Sequence, residues 1–195
     1  MKEKRPISLI IFIFLLALFF SYHIYYYVQS EVNKEKVDRF LIQNDVVDNY
    51  IERKSEDYGV KKEEYLGILA IPKLNLEKGF YNVDSKNNNV NKNIELLKFS
   101  DMPDNNGGII VFAAHRGNSY VSYFNNLYKL KLDDEINVYY KNKKYTYIVN
   151  NIYEEKKDGT INVNKNIHEN YLVLTTCSKR SGKQLIVTSK LLKEE

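Results

Sequence analysis

The stretch Tyr171 to Lys190 reads YLVLTTCSKRSGKQLIVTSK, and its parsing decides the fold. Leu172, Val173, Leu174, Thr175 and Thr176 form an apolar, β-rich run that ends on Cys177. A polar turn with Ser181 and Gly182 follows, and a second β-rich run extends from Leu185 to Thr188. Two strands joined by a short polar turn put Cys177 at a strand end, beside the mouth of a sheet. A thiol held there is rigid and still open to a reaction partner, whereas one buried in mid-strand is not. Cys177 is also the only cysteine of the chain, which excludes an internal disulfide. A lone thiol in an exported domain points to reactivity.

Upstream, the same period-two patterning begins at Tyr65. Leu66–Ile71 reads as a first strand that Pro72 ends, since proline fits a strand end or edge but not a central ladder position. Leu74–Phe80 reads as a second strand, Asp84–Asn93 as an Asn- and Lys-rich surface loop, and Ile94–Phe99 as a short helix. The turn-rich Asp101–Gly108 leads into an apolar strand, Gly108–Ala114, which delivers His115 into the loop His115–Asn118. Tyr120–Leu130 carries a short helix with Phe124 and Leu127 facing inward. Glu135–Tyr140 and Tyr145–Tyr153 form a hairpin, and Glu154–Asn170 is a polar connection with a small strand near Ile161–Val163. About seven or eight short strands with little helix between them describe a mainly β chain closed, or nearly closed, into a barrel.

The N-terminus is different. Ile7 to Val28 holds no Asp, Glu, Lys or Arg, and its length matches the roughly 20 residues needed to cross a bilayer. Lys2, Lys4 and Arg5 precede it, so the positive-inside tendency leaves residues 1–6 cytoplasmic and everything after Val28 outside. Tyr22, Tyr25, Tyr26 and Tyr27 crowd the outer end, where amphipathic rings favour the interface, and His23 is read as interfacial too. Bulky tyrosines stand where a signal peptide would carry small residues, which favours a retained anchor. Ser30–Arg53 has apolar residues at helical spacing (Val37, Phe40, Leu41, Val47, Tyr50, Ile51) and reads as a juxtamembrane helix, either a spacer or packed on the domain. Lys54–Glu64 follows as a linker. The organisation is thus 1–6 cytoplasmic, 7–28 transmembrane, 29–64 helix and linker, and 65–195 the barrel domain. The net charge of +4 is spread without a basic block, so nucleic acid is not indicated.

Cys177 and His115 together suggest nucleophilic chemistry. A free thiol is only slightly ionised near neutrality; an imidazole can take its proton and later protonate a leaving amine, so one Cys–His pair supports acyl transfer in both directions. The bland reading is that Cys177 is a small buried hydrophobe and His115 merely hydrogen-bonded. His168 lies in a polar loop with nothing rigid to hold it. One cysteine and scattered histidines give no ligand cluster, so no metal site is expected. The one acidic run, Asp133, Asp134 and Glu135, invites a test for calcium without other support.

The run VLTTC (Val173–Cys177) resembles the Thr-Leu-x-Thr-Cys signature of the sortases, membrane-anchored transpeptidases of Gram-positive bacteria, with Val173 in place of the first Thr. AAHRG (Ala113–Gly117) is similar to the segment carrying the sortase histidine, and LGILAIPKLNL (Leu66–Leu76) to the opening strands with their Ile-Pro pair. The resemblance spans Tyr65 to Leu192 and implies an eight-stranded β-barrel. It also implies cell-surface localisation and a thioacyl mechanism without a cofactor. Cys177 would open a Thr–Gly-type bond in a Leu-Pro-x-Thr-Gly-like sorting signal of a surface protein or pilin. An amine of a peptidoglycan precursor or pilin would then resolve the intermediate. His115 would act as general acid and then base, and Thr176 would help line the site. The arginine that sortases carry near the start of the last strand aligns with Gln184, preceded by Lys183; Arg180 is the nearby alternative, and Arg116 reads as a surface or groove residue. Gln184 can donate a hydrogen bond but brings no charge. Class B-like and class D-like membership both fit: Ser30–Arg53 resembles the class B helix, but Glu154–Asn170 is too short for the class B insertion. Three activities remain open at this point: a transpeptidase, a Cys–His endopeptidase in which water resolves the thioester, and a tethered binding module without turnover.

Overall fold

The computed structural model describes residues 7–43, 65–163 and 168–195. One helix, α1 (Ile7–Gln43), runs 37 residues without a break. Sequence patterning suggested two helices here; no Pro or Gly interrupts the stretch, so nothing ends the first. Residues 44–64, which hold the end of the expected second helix and the linker, lie outside the described residues. Leu9–Leu41 is long enough to cross a membrane and contains an 18-residue window with mean hydropathy 2.1.

The chain divides into two compact units, the first ending at Glu35 and the second beginning at Lys36. Within the second unit the end of α1 is packed rather than free. Val37 and Phe40 are buried against Tyr65, Ile68 and Tyr81, and Lys36 Nζ donates to the Tyr81 hydroxyl at 2.7 Å.

Among the described residues eight strands form one sheet: β1 (Gly67–Ile71), β2 (Leu76–Phe80), β3 (Glu95–Leu96), β4 (Ile109–Ala113), β5 (Glu135–Tyr140), β6 (Lys143–Lys156), β7 (Tyr171–Cys177) and β8 (Lys183–Glu194). Their order is β2-β1-β5-β6-β8-β7-β4-β3, so the chain's first and third strands from the N-terminal side end up near opposite margins of a sheet that curls into a nearly closed barrel. All pairings among the described residues are antiparallel except one: β4 runs parallel to β7. The β5–β6 hairpin turns at Lys141 and Asn142, both with positive φ (48° and 60°), as a two-residue turn matched to strand twist requires.

Alternation sorts the side chains into two layers. Leu69, Ile71, Phe80, Ile110, Phe112, Ile136, Val138, Leu172, Leu174, Leu185 and Val187 fill the interior. Phe80 and Phe112 meet edge to face at 4.8 Å between ring centroids, linking β2 at one margin to β4, the strand next to the other margin. On the outer side of β4, β7 and β8, Val111, Val173 and Ile186 form a smaller layer, covered by Leu97, Tyr153, Ile161 and Val163.

Several local expectations change. Ile94–Phe99 is not a helix; Glu95 and Leu96 form β3 by pairing with Ala113 and Phe112. Tyr120–Leu130 holds only a single 3-10 turn at Leu127–Lys129, with Phe124 and Leu127 buried as the pattern suggested. Ile161 and Val163 belong to no strand and serve as cover for the outer layer. The Asn-rich loop is structural as well as superficial: Asn88 Oδ1 accepts from Leu96 N at 2.7 Å while its Nδ2 donates to Leu96 O at 2.9 Å. Buried Asn93 donates from Nδ2 to Gly79 O at 2.8 Å. These amides supply ladder bonds that the strand margins otherwise lack.

Lys78 is the one buried cation of β2, set over the Tyr123 ring at 4.7 Å. Burial first, and Lys36 second, push its ammonium down to about 8 from 10.5. The folded chain therefore releases this proton at a pH where the unfolded chain still holds it, and stability rises with pH above about 8. Burial holds the Tyr65 hydroxyl well above the usual tyrosine range, with Tyr81 and Tyr123 adding to it, and burial raises Tyr139, Tyr145, Tyr147 and Tyr153 as well, so these tyrosines oppose the rise as pH approaches 10. Urea titrations of the full chain in detergent are expected to show wild type gaining about 2 kcal/mol relative to Lys78→Met between pH 8 and pH 10.

Candidate active site

The site begins with the register between β4 and β7. Ala113 lies opposite Thr175 in a parallel pair, and the pairing extends past the strand end through Ala114 N, which donates to Thr175 O at 3.3 Å. Carried two residues past the last pair, the same register would set His115, just beyond the end of β4, level with Cys177. The thiol and the imidazole both leave the same end of the barrel.

Thr176 occupies the other face of β7. It is buried, and its Oγ1 donates to Ala114 O at 2.8 Å, so it locks the strand end from which His115 departs. Cys177 shares the outer face with Val173 and Thr175 and is half-buried. Directly across β8 it pairs with Gln184, and Gln184 pairs with Glu155 of β6. Directly opposed residues share a face. Cys177, Gln184 and Glu155 therefore form a polar row across β7, β8 and β6, bordering the apolar outer layer, and His115 follows the end of the neighbouring β4.

The hydrogen bonds of this row are specific. His115 Nε2 lies 2.9 Å from Asn91 Oδ1, in the Asn-rich loop. With the amide oxygen as acceptor, Nε2 carries a proton and Nδ1 is the free base nitrogen. Gln184 Nε2 donates to Glu155 Oε1 at 3.0 Å and to Thr160 O at 2.6 Å. The Cys177 sulfur accepts from Lys157 Nζ at 3.2 Å. No hydrogen bond joins the thiol to the imidazole; each has its own partner.

A second link ties the two loops together. Tyr128 receives the Arg116 guanidinium at 5.3 Å and the Lys179 ammonium at 4.6 Å from its ring centroid. One cation follows His115 and the other follows Cys177 in sequence, so a single ring is shared by the segments that carry both. Arg180, 73 % exposed, pairs with Glu154 at 3.2 Å, and Ser178 also bonds Glu154. Glu154 lies opposite Leu185, one residue off the polar row and on the other face of β6. His168 precedes β7 and so sits at the far end of that strand from Cys177. His23 stacks on Phe19 at 4.3 Å within α1.

Asp134 accepts from Lys131 N at 2.8 Å and faces Lys73 at 3.7 Å, while Glu135 accepts from Asn137 and faces Lys144 at 3.8 Å. Among the described residues no group of three His, Cys, Asp or Glu side chains is assembled to hold a metal ion. Sequence reasoning missed Asn91 and Lys157. Asn91 was hidden in a loop read only as surface, and Lys157 in a polar connection with no periodicity.

Comparison with known proteins agrees with this architecture. The family profile described as Sortase domain matches residues 69–192. Among solved structures, the Clostridium perfringens sortase D5 transpeptidase is 23 % identical, covering 84 % of this chain and 99 % of that one, with a TM-score of 0.62. Sortase A from Corynebacterium diphtheriae, a lid mutant, is 18 % identical, covering 68 % and 72 %, with a TM-score of 0.60. Sortase C-1 from Actinomyces oris is 23 % identical, covering 66 % and 74 %, with a TM-score of 0.58. No curated protein matches the chain.

The Asn91 contact has a spectroscopic consequence. Proton NMR is expected to show a hydrogen-bonded imidazole Nε2–H resonance from His115. In Asn91→Ala that resonance should be lost to solvent exchange, with the backbone spectrum otherwise unchanged.

Proposed function

The chain belongs to the sortase family, and from that premise we propose that it is a membrane-tethered cysteine transpeptidase with Cys177 as nucleophile and His115 as general acid and base. The single observation that supports this most is the parallel β4–β7 register, which brings the two residues to one end of the barrel. The apolar N-terminal helix fits a membrane anchor, and Lys2, Lys4 and Arg5 favour a cytoplasmic N-terminus with the barrel outside.

The proposed reaction has two steps. The Cys177 thiolate attacks the carbonyl carbon of the Thr–Gly-type bond in a Leu-Pro-x-Thr-Gly-like sorting signal. A C–S bond forms, and the carbonyl electron pair moves onto oxygen. As the pair returns, the C–N bond breaks, and the proton that His115 took from the thiol goes to the leaving amine. An incoming amine then attacks the thioester, gives a proton to His115 and expels the thiolate. A surface protein or pilin is the acyl donor in this reading, and the acceptor is an amine of a peptidoglycan precursor or pilin.

The test uses the full chain in detergent with a sorting-signal peptide and an added amine. Wild type should give ligated peptide and a trappable thioacyl enzyme. Cys177→Ala should abolish both while keeping the wild-type circular dichroism, and His115→Ala should lower kcat/KM by about 10²–10⁴-fold. Cleavage without ligation would favour the endopeptidase. Equal retention of the peptide by wild type and Cys177→Ala, with no turnover, would favour the binding module.

A further inference from the structure

We propose that Lys157 is a catalytic residue, its ammonium supplying the positive charge and the N–H donor at the reacting sulfur. This rests on the transpeptidase reading of Cys177. Lys157 Nζ donates to Cys177 Sγ at 3.2 Å, the sole hydrogen bond of that thiol among the described residues. The lysine is rooted where its reach is fixed. It follows Lys156, the last residue of β6, and its backbone N donates to Gly182 O at 2.9 Å in the β7–β8 turn. The next residues are held too: Asp158 Oδ1 accepts from Thr160 N at 3.1 Å and from Thr160 Oγ1 at 2.6 Å.

The other donors near the sulfur are committed elsewhere. A glutamine amide has two N–H donors, and Gln184 spends both, on Glu155 and on Thr160 O. Arg180 is paired with Glu154 on the other face, while Arg116 and Lys179 lie over Tyr128. Among the described residues the neighbouring carboxylates make no ion pair with the lysine. Glu155 is occupied by Gln184 and by Asn162 Nδ2 at 3.0 Å, and Asp158 by Thr160. Lys157 makes no ion pair among the described residues, so its charge is directed at the sulfur.

The chemistry follows from an ammonium having three donors and no acceptor. One N–H supports the thiolate before attack. When the C–S bond forms and the carbonyl pair moves onto oxygen, that oxygen is bonded to the carbon attached to the same sulfur, within reach of a second N–H. The lysine donates a hydrogen bond and transfers no proton. The pair returns as the C–N bond breaks, with His115 protonating the amine. A fixed donor at a developing oxyanion is worth about 10²–10³ in kcat.

The test separates charge from structure. Lys157→Met and Lys157→Arg are compared with wild type in the full chain in detergent, by acyl-transfer kinetics and by Cys177 alkylation with iodoacetate and iodoacetamide. The anionic reagent is favoured by a cation at the sulfur and the neutral one is not. Lys157→Met is expected to lower kcat about 100-fold with KM within about 3-fold, and to lower the iodoacetate-to-iodoacetamide rate ratio about 5-fold. Lys157→Arg should keep the ratio and recover most of kcat. Adding Gln184→Arg to Lys157→Met, which returns a cation to the adjacent strand, should regain part of both. Unchanged kcat and an unchanged ratio in Lys157→Met would overturn the assignment, as would equal loss in Met and Arg with the ratio intact. If wild type shows the elevated ratio but transfers no acyl group, the transpeptidase reading fails and with it the catalytic role, while the ammonium–sulfur pairing stands. If wild type transfers acyl groups and Lys157→Met matches it, the lysine assignment fails alone.

Discussion

The parallel contact between β4 and β7 governs everything downstream. Five residues of each strand pair in register, from Ile109 with Tyr171 to Ala113 with Thr175. Beyond the last pair, Ala114 N and the Thr176 hydroxyl continue the stitching in both directions. A slip of one residue would exchange the faces of Thr176 and Cys177. The hydroxyl would then meet the outer groove and the thiol the core. The interior therefore fixes the register strongly, because Leu172, Leu174, Ile110 and Phe112 must all remain inside. Packing sets the chemistry's geometry without taking part in it.

This division lets the barrel carry polar functional groups cheaply. Isolated polar groups buried among Leu172, Leu174 and Val187 would each cost a desolvation penalty. The polar row instead lies on the outer face, where every polar member has a partner: His115 with Asn91, Gln184 with Glu155 and Thr160, Cys177 with Lys157. Three of these partners come from segments outside regular strands. The strands hold the level of the row, and the loops supply most of its hydrogen-bond partners.

Much of this was legible in the sequence because it depends on local patterning. The run ending at Cys177, the apolar strand before His115 and the β5–β6 hairpin all follow from period-two alternation and turn residues. The resemblance of VLTTC and AAHRG supplied the family. What escaped is long-range and made by side chains without periodicity. β3 is a strand only because Glu95 and Leu96 find β4 on one side and Asn88 on the other. Asn91 stands among five other asparagines between Asn82 and Asn93, and nothing local marks it. With 29 Lys and Arg in the chain, no pattern singles out Lys157. The unbroken α1 is the opposite case: a plain absence of breakers, read as two helices because the composition changes midway.

The amides of Asn88 and Asn93 also bear on how this molecule behaves in company. A barrel that stops short of closure has two strand margins, and bare margins recruit strands from neighbouring molecules. Here the exposed rim of β3 is already bonded at Leu96 by one asparagine, and that of β2 at Gly79 by another. Each amide acts as a one-residue decoy strand, too short to be extended by a visitor. Each margin thereby offers a neighbouring strand fewer free ladder groups to pair with.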